Sequence, residues 1–260
     1  MASSYEINEN VIKKIIKKIF SFTNYSIVRN NNFNDRMHDT IVEIDKEDAL
    51  NVNLAIKSAL CSKANLWSLI QSIKYIANNK IEGDFVECGV FRGGSLGILS
   101  HYAEKYSLDS KIYGFDTFED GFFNAPLSDK DITIKGLKIK QGKKIKNFYP
   151  TQEEVKNNLK NFFKNVKYSP KLIKGDVLKT LMEPKNIPNK ISILRLDTDL
   201  YLTTKIQLEV LYPKLVSGGI LHIDDYGICP GVRSAVDEYF INQKIWLHRI
   251  DLTCRLMIKA

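Results

Sequence analysis

Short apolar runs alternate with helical patterns through most of this 260-residue chain, and this alternation limits the fold more than any other feature. Strands separated by helices indicate βαβ units and a mostly parallel sheet. Runs that are apolar almost throughout fit strands that helices bury on both faces. The predicted strands are 85–90, 111–116, 171–174, 191–196 and 219–224, with a terminal hairpin at 245–250 and 255–259. The sequence therefore predicts an α/β fold with a mostly parallel seven-stranded sheet and helices on both faces.

The segment 1–50 is predicted to form a helical arm ahead of a main domain at 51–260. Apolar residues within 12–20 recur at helical spacing, with lysines on the opposite face, which predicts an amphipathic helix. Such a helix can dock on its own domain or on a second subunit, so we expect a homodimer. A helix lying on a membrane surface is the alternative.

Two further helices are predicted from local sequence patterns. A helical pattern runs from about Asn53 to Asn78. The sequence Thr151-Gln152-Glu153-Glu154 is a capping box, which predicts a helix that continues to about Lys164. Between them, the long loop from Thr117 to Pro150 is typical of a binding loop.

The positive charge of the chain is concentrated in that loop. The formal net charge is +8, from 38 Lys and Arg against 30 Asp and Glu. Without six lysines of the segment 135–146 it would be +2. No nucleic-acid-binding module accompanies them, so no nucleic-acid partner is expected. We hypothesise that the loop binds an anionic acceptor; a solvated loop is the alternative.

The cysteines and the hydropathy pattern predict a cytoplasmic protein. The four cysteines are far apart and form no CxxC pair, which argues against a disulfide framework and a structural zinc site. No apolar run approaches the roughly 18 residues that span a bilayer. The N-terminal residues have no signal-peptide pattern. We therefore expect no membrane span.

Glycines and acids follow the first predicted strands, where open α/β sheets bind ligands. The run Glu87-Cys88-Gly89 continues to Gly93-Gly94-Ser95, and its glycines allow close backbone approach ahead of a helix N-terminus. It is neither a dinucleotide fingerprint nor a Walker loop. Asp116 ends the next strand and could hold ribose hydroxyls or cap a helix. Gly175-Asp176 follows the short strand 171–174, where an adenine edge could be bound. This signal is weaker, because Gly-Asp is also common in turns.

Four aspartates end the last two predicted parallel strands. Asp197 and Asp199 follow one strand, and Asp224 and Asp225 follow the other. Crowded carboxylates repel one another unless a cation or a shared proton compensates them. Ligation by oxygen alone favours a hard divalent ion such as Mg²⁺. Alternatively, these acids cap helices or pair with arginines such as Arg195.

Together these motifs resemble the macrocin O-methyltransferase family of class I S-adenosylmethionine-dependent enzymes, over about 83–240. The motifs that carry the resemblance are Glu87-Cys88-Gly89-Val90-Phe91-Arg92-Gly93-Gly94, Asp116-Thr117-Phe118-Glu119-Asp120-Gly121, Leu194-Arg195-Leu196-Asp197-Thr198-Asp199-Leu200-Tyr201, Leu211-Tyr212-Pro213-Lys214-Leu215 and Ile223-Asp224-Asp225-Tyr226-Gly227. The chain departs from the family at Cys88 and Phe91, where threonine and tryptophan are common. The resemblance implies a Rossmann-like class I fold and Mg²⁺-dependent methylation of a sugar hydroxyl.

The resemblance also implies roles for individual residues. S-adenosylmethionine would be bound by Glu87, Gly89, Gly93, Ser95, Asp116, Thr117 and Asp176. Mg²⁺ would be bound by Asp197, Asp224 and Asp225. Apart from the resemblance, the mechanism makes Asp197 the expected general base, with Asp199 as the competing choice. We also expect a small-molecule sugar acceptor to contact Tyr201, Tyr226, Lys143 and Lys144, the two lysines on the ground of charge alone.

Two other functions fit the same residues. A metal-dependent methyltransferase of a phenol or catechol would share the acids, with apolar walls from Phe118, Phe122 and Phe123. A non-catalytic nucleoside-binding protein could use the same fold, because a fold does not fix a function. The glycine spacing disfavours an NAD-linked enzyme. The sequence leaves the acceptor and the methylated hydroxyl open.

Overall fold

Buried apolar strands form the centre of the molecule, which a computed structural model describes over residues 41–121, 126–131 and 148–260. The predicted amphipathic helix at 12–20 lies outside the described residues. So do the lysine segment with Lys143 and Lys144, and the aromatic pair Phe122 and Phe123. Within the described residues, no helix is both long and apolar enough to cross a bilayer.

The sheet has seven strands in the order β3-β2-β1-β4-β5-β7-β6. The strands are β1 (Asp84–Cys88), β2 (Ile112–Asp116), β3 (Lys171–Lys174), β4 (Ile191–Leu196), β5 (Leu215–Ile223), β6 (His248–Arg249) and β7 (Arg255–Ile258). The first five in chain order are mutually parallel, and β7 joins β5 in antiparallel orientation. The predicted mostly parallel seven-stranded sheet is confirmed.

Helices cover both faces of this sheet. They are α1 (Lys46–Ala55), α2 (Lys63–Asn78), α3 (Gly94–Lys105), α4 (Gln152–Leu159), α5 (Val177–Thr180), α6 (Tyr201–Leu211) and α7 (Pro230–Tyr239). The first four pack with one apolar cluster that contains Leu69 and Ile98. The last three pack with a second cluster that contains Leu208 and Val236. Because both faces are covered, all six residues of β4 are buried.

The helix predicted over about 53–78 is interrupted in the structure. A short 3₁₀ turn at Ile56–Ser58 follows α1, and α2 begins only at Lys63. The reason is local, because the Ser62 hydroxyl accepts the N–H of Asn65 at 3.0 Å and so caps a new helix. The boundary placed between residues 50 and 51 falls inside α1, which belongs to the compact unit from Glu43 to Ala260. The division into an arm and a domain stays a prediction.

Other element boundaries show which local signals are reliable. The capping box is confirmed, with Thr151 and Glu154 bonding each other's backbone N–H, although α4 ends at Leu159 rather than near Lys164. The helix α6 ends at Leu211, and a 3₁₀ turn at Tyr212–Lys214 follows, in which Pro213 has no N–H to continue the α-helical hydrogen bonds. The chain then enters β5 four residues earlier than predicted.

Candidate active site

The strand order brings the predicted site residues to one edge of the sheet. Backbone hydrogen bonds of 2.8 Å join the N–H of Gly89 to β2, that of Asp197 to β1, and that of Asp224 to β4. The residues that follow β1, β4 and β5 are therefore neighbours across the sheet. As parallel strands end at a common edge, glycines and acids far apart in sequence meet there.

Gly89 allows this close approach. Its φ is +92°, and a Cβ at this position would lie 1.7 Å from the carbonyl oxygen of Asp197. Gly93 also has a left-handed φ of +90° and immediately precedes α3. Other residues rarely adopt this conformation, so both glycines are required by the turn itself. The turn leaves the N-terminus of α3 facing the edge of the sheet.

Glu87 is the most deeply buried acid of the site. Its Oε1 accepts hydrogen bonds from the Ser95 hydroxyl and, at 2.9 Å, from Nη1 of Arg195. Its Oε2 is buried and has no hydrogen-bond partner among the described residues. Burial raises the pKa of Glu87 to about 7, and the Arg195 charge opposes that rise. An orphaned carboxylate oxygen beside a glycine turn fits a cationic donor such as the ammonium group of a bound amino acid.

Asp116 links β2 to the glycine turn. Its Oδ2 accepts the N–H groups of Val90 at 2.7 Å and Phe91 at 2.8 Å, and its Oδ1 accepts that of Phe118 at 2.6 Å. A fourth backbone N–H, that of Thr117, also interacts with this carboxylate, which has about four lone-pair sites. The side chain thus stabilises the turn, and its contact with a ribose hydroxyl stays a prediction.

Two other predicted cofactor residues precede short helical turns. Asp176 caps α5, since its Oδ1 accepts the N–H of Leu178 at 3.0 Å. Thr117 precedes the 3₁₀ turn Phe118–Asp120 without a side-chain cap. Their roles in cofactor binding stay predictions.

Arg195 lies between the acids of the site. It is 1% exposed. Its Nη1 contacts Asp197 Oδ2 at 2.5 Å as well as Glu87, and its Nη2 contacts Asp224 Oδ2 at 2.7 Å. The acids at the ends of β4 and β5 were expected to bind a metal ion or, alternatively, to pair with arginines. The structure shows such pairing with Arg195 for Asp197 and Asp224. Removing one partner of a buried ion pair typically costs about 3–5 kcal/mol, so this network is also structural.

Asp224 is held by further partners that sequence patterns did not reveal. Its Oδ2 also accepts from Asn65 Nδ2 at 2.9 Å, and its Oδ1 accepts from the Thr253 hydroxyl at 2.7 Å. Asn65 lies in the first turn of α2, and Thr253 lies between β6 and β7. The one available signal was an asparagine beside the apolar residue Leu66 within a helical pattern. Nothing in the sequence near Thr253 indicated its contact.

Asp199 and Asp225 form a second acidic group with Cys229. One ligand atom from each lies within 4.8 Å of the others, the one such group found among the described residues. The two carboxylates hydrogen-bond each other, and burial together with that bond raises the pKa of Asp225. Two carboxylates can bond only by sharing a proton, which a divalent cation could replace. Sequence analysis missed Cys229, whose thiol pKa burial also raises.

The oxygen ligands of these acids fit a hard divalent ion. The four aspartates form two pairs with different partners. Asp199 and Asp225 face each other, whereas Asp197 and Asp224 face Arg195. Oxygen ligands are those that Mg²⁺ prefers. The predicted ligand set of Asp197, Asp224 and Asp225, and the choice of Asp197 or Asp199 as base, stay predictions.

Of the predicted acceptor residues, the structure describes Tyr201 and Tyr226, which follow Asp199 and Asp225 closely in the chain. The Tyr201 hydroxyl donates to Glu238 at 2.7 Å, and the Tyr226 hydroxyl donates to Asp237 at 2.7 Å. Both tyrosines are thereby anchored to α7. Phe118, considered as a wall of an aromatic acceptor pocket, is fully buried in the core instead.

Comparison with known proteins identifies the family. The model of the macrocin-O-methyltransferase (TylF) family matches residues 6–259. The chain belongs to this family. The resemblance carried by the strand-end motifs is thereby confirmed.

Two curated proteins of known activity are similar to this family member. Demethyldecarbamoylnovobiocin O-methyltransferase of Streptomyces niveus is 30% identical over 178 residues, which are 67% of this chain and 64% of that protein. Mycinamicin III 3''-O-methyltransferase of Micromonospora griseorubida is 29% identical over 182 residues, 67% of this chain and 66% of that protein. The chain thus spans a little under two thirds of the length of these relatives.

A solved structure supports the fold of this macrocin O-methyltransferase family member. The O-methyltransferase NovP superposes with a TM-score of 0.67 and 26% identity, covering 78% of this chain and 82% of NovP. The predicted Rossmann-like class I methyltransferase fold is confirmed.

Proposed function

We propose that this protein transfers a methyl group from S-adenosylmethionine to a hydroxyl of a sugar, as part of natural-product or glycan biosynthesis. The two curated relatives support this, because both are O-methyltransferases by name, and a third relative, of Streptomyces olivaceus, is named for a rhamnosyl-bearing acceptor. Within this chain, the main support is the buried, unpartnered Oε2 of Glu87 beside the glycine turn. That atom requires a donor, and the cofactor offers an ammonium group.

In this proposal the cofactor lies along the edge formed by β1 and β2. Glu87, fixed by Ser95 and Arg195, accepts the ammonium of the methionine part. Asp116 accepts a hydrogen bond from a ribose hydroxyl. Gly89 and Gly93 keep side chains out of the cofactor's path. Thr117 and Asp176 line the adenosine end.

The metal and the acceptor occupy the adjacent edge formed by β4 and β5. Asp197, Asp224 and Asp225 would hold Mg²⁺, which when bound lowers the pKa of the acceptor hydroxyl and fixes its position. Asp197 takes the hydroxyl proton as general base, with Asp199 as the competing choice. The Asp197 side chain is 28% exposed, so an acceptor can reach it. Alignment of the oxygen with the methyl group supplies much of the rate.

The acceptor would lie against Tyr201 and Tyr226, with Lys143 and Lys144 contacting an anionic group. The excess of lysine in the loop supports an acidic or nucleotide-linked sugar. We also infer a homodimer, and a cytoplasmic location, to which four unpaired cysteine thiols are suited.

The acceptor class is tested by methyl transfer to a defined panel. The full chain is incubated with S-adenosylmethionine, Mg²⁺ and, separately, a deoxythymidine-diphosphate sugar, a uronic acid glycoside, a neutral methyl glycoside and a catechol. The proposal expects S-adenosylhomocysteine release with a sugar. Turnover of the catechol alone would establish the phenol methyltransferase instead. Cofactor binding without turnover of any natural acceptor, in a cell extract as well, would favour a non-catalytic protein.

A further inference from the structure

One guanidinium group connects the two halves of the site. Arg195 donates to Glu87, which belongs to the cofactor half, and to Asp197 and Asp224, which belong to the metal half. Glu87 and Asp224 are 108 and 29 residues from it in sequence, so only the fold creates this contact. Among the described residues, no other cation lies within 4.0 Å of these three carboxylates.

A single positive charge cannot neutralise three acids. Arg195 keeps its proton at all relevant pH values, so its charge is constant and only its distribution among partners can change. Its Nη1 is shared between Glu87 at 2.9 Å and Asp197 at 2.5 Å. A cation that binds Asp197 and Asp224 repels the guanidinium and leaves it closer to Glu87. A cation that binds Glu87 leaves it closer to the aspartates.

We propose that Arg195 is a shared counter-ion through which the metal ion and the cofactor weaken each other's binding. It acts as a positioning residue, since it contacts neither the methyl group nor the acceptor oxygen. The inference rests on the proposed function, because it takes Glu87 as the ammonium site and the aspartates as the metal site. By linkage the effect must be reciprocal and equal in both directions. When neither ligand is bound, Arg195 holds Glu87, Asp197 and Asp224 in place.

The linkage is measurable with the wild-type protein by calorimetric titration. S-adenosylhomocysteine is the probe, because it carries the ammonium group without the sulfonium charge that would repel a metal directly. Its Kd is measured in EDTA and in saturating Mg²⁺, and the Kd of Mn²⁺ is measured with and without S-adenosylhomocysteine. We expect each ligand to raise the Kd of the other about fivefold, within the usual range of coupling between sites. Equal Kd values in both conditions, or tighter binding, would overturn the inference.

Removal of the counter-ion separates this role from a merely structural one. In Arg195→Gln, we expect Mn²⁺ to raise the melting temperature more than in the wild type, because the ion no longer competes with an internal cation. A structural residue would give the opposite result, weaker metal binding. Arg249→Gln is the control, since Arg249 is exposed and donates to the carbonyl oxygen of Asp251. This control should match the wild type in both titrations.

A second variant covers the case in which Arg195→Gln does not fold. Glu87→Gln leaves Arg195 to Asp197 and Asp224 alone, so the Kd of Mn²⁺ should rise about fivefold although Glu87 is no proposed metal ligand. Glu153→Gln, at an exposed acid of α4, should leave it unchanged. An unchanged Kd in Glu87→Gln would contradict the inference. Failure of the wild type to bind S-adenosylhomocysteine at all would instead defeat the proposed function, and the inference with it.

Discussion

At the residue scale, the acids of the site differ in what holds them. Asp224 has both oxygens engaged by Arg195, Asn65 and Thr253. Within the part of the chain that the structure describes, the Asp197 side chain bonds Arg195 alone, and it is partly exposed. A general base needs an accessible lone pair, whereas a fixed ligand needs orientation. The contacts therefore favour Asp197 for proton transfer and Asp224 for orientation.

Replacing Asp197 tests this assignment. Asp197→Asn keeps the shape but removes the charge and the basic oxygen, so turnover should fall by about 10²–10⁴-fold. The Kd of S-adenosylhomocysteine should stay within about threefold, since Arg195 retains Asp224 as a partner. Steady-state kinetics measures the turnover, and calorimetry measures the Kd of S-adenosylhomocysteine. Full activity of Asp197→Asn would exclude it as base, and the same change at Asp199 would then identify the competing residue.

His222 gives the protein a specific acid sensitivity. It is fully buried, with Nε2 at 2.9 Å from the Ser72 hydroxyl, and burial together with Arg195 lowers its pKa to about 3. The unfolded chain takes up this proton near pH 6.5, whereas the folded chain does not until about pH 3. His222 therefore does not lower the free energy of unfolding above about pH 6.5. It lowers that free energy increasingly as the pH falls from 6.5 towards 3.

The histidine's share of that decline can be isolated by substitution. Between about pH 6 and 4, wild type should lose about 1.4 kcal/mol per pH unit more than His222→Asn. Urea unfolding at several pH values measures both slopes. Parallel slopes would show that His222 is not buried in its neutral form.

The residues that sequence analysis identified are those with a local pattern. Glycines and acids at strand ends, such as Gly89 and Asp197, were found because parallel strands end together. Arg195 was considered as a partner of these acids, but Asn65 was not, because it is 159 residues from Asp224 and meets it only in the folded protein. Whether an acid binds a metal or an arginine depends on distances of a few ångströms, which residue types alone do not specify.

At the element scale, strands were predicted more closely than helices. Both β3 and β4 match the predicted ranges, because each is a short run bounded by turn residues or acids. The helix pattern near 53–78 concealed a break, because apolar spacing continues through it while Ser62 starts a new helix. Side-chain capping, rather than hydrophobic periodicity, decided that boundary.

The turn after β1 provides a stability test. Gly89→Ala would place a methyl group 1.7 Å from a backbone oxygen, so the ends of β1 and β4 must separate. We expect a loss of at least about 2 kcal/mol in the free energy of unfolding, measured in urea. Gly175→Ala is the matched control, because its φ is also positive, at +140°, but its nearest atom is a side-chain methyl at 2.9 Å. Equal losses in both variants would contradict the close approach.

At the scale of the whole molecule, the strand order creates the site. The order β2-β1-β4-β5 within the sheet places a cofactor edge beside an acidic edge, although the chain visits them out of sequence. The alternation of strands and helices predicted the fold class, because only parallel strands with helical crossovers fit it. The positive net charge predicted neither the fold nor the site, and its relevance is to the acceptor.

Metal-dependent methyl transfer is the central claim, and one measurement tests it most directly. The full chain is given ¹³C-methyl-labelled S-adenosylmethionine and the sugar acceptor selected from the panel, first in excess EDTA and then after Mg²⁺ is restored, while NMR follows the methyl group. The account predicts no transfer in EDTA and transfer to the sugar oxygen once Mg²⁺ is present. Undiminished transfer in EDTA would contradict it.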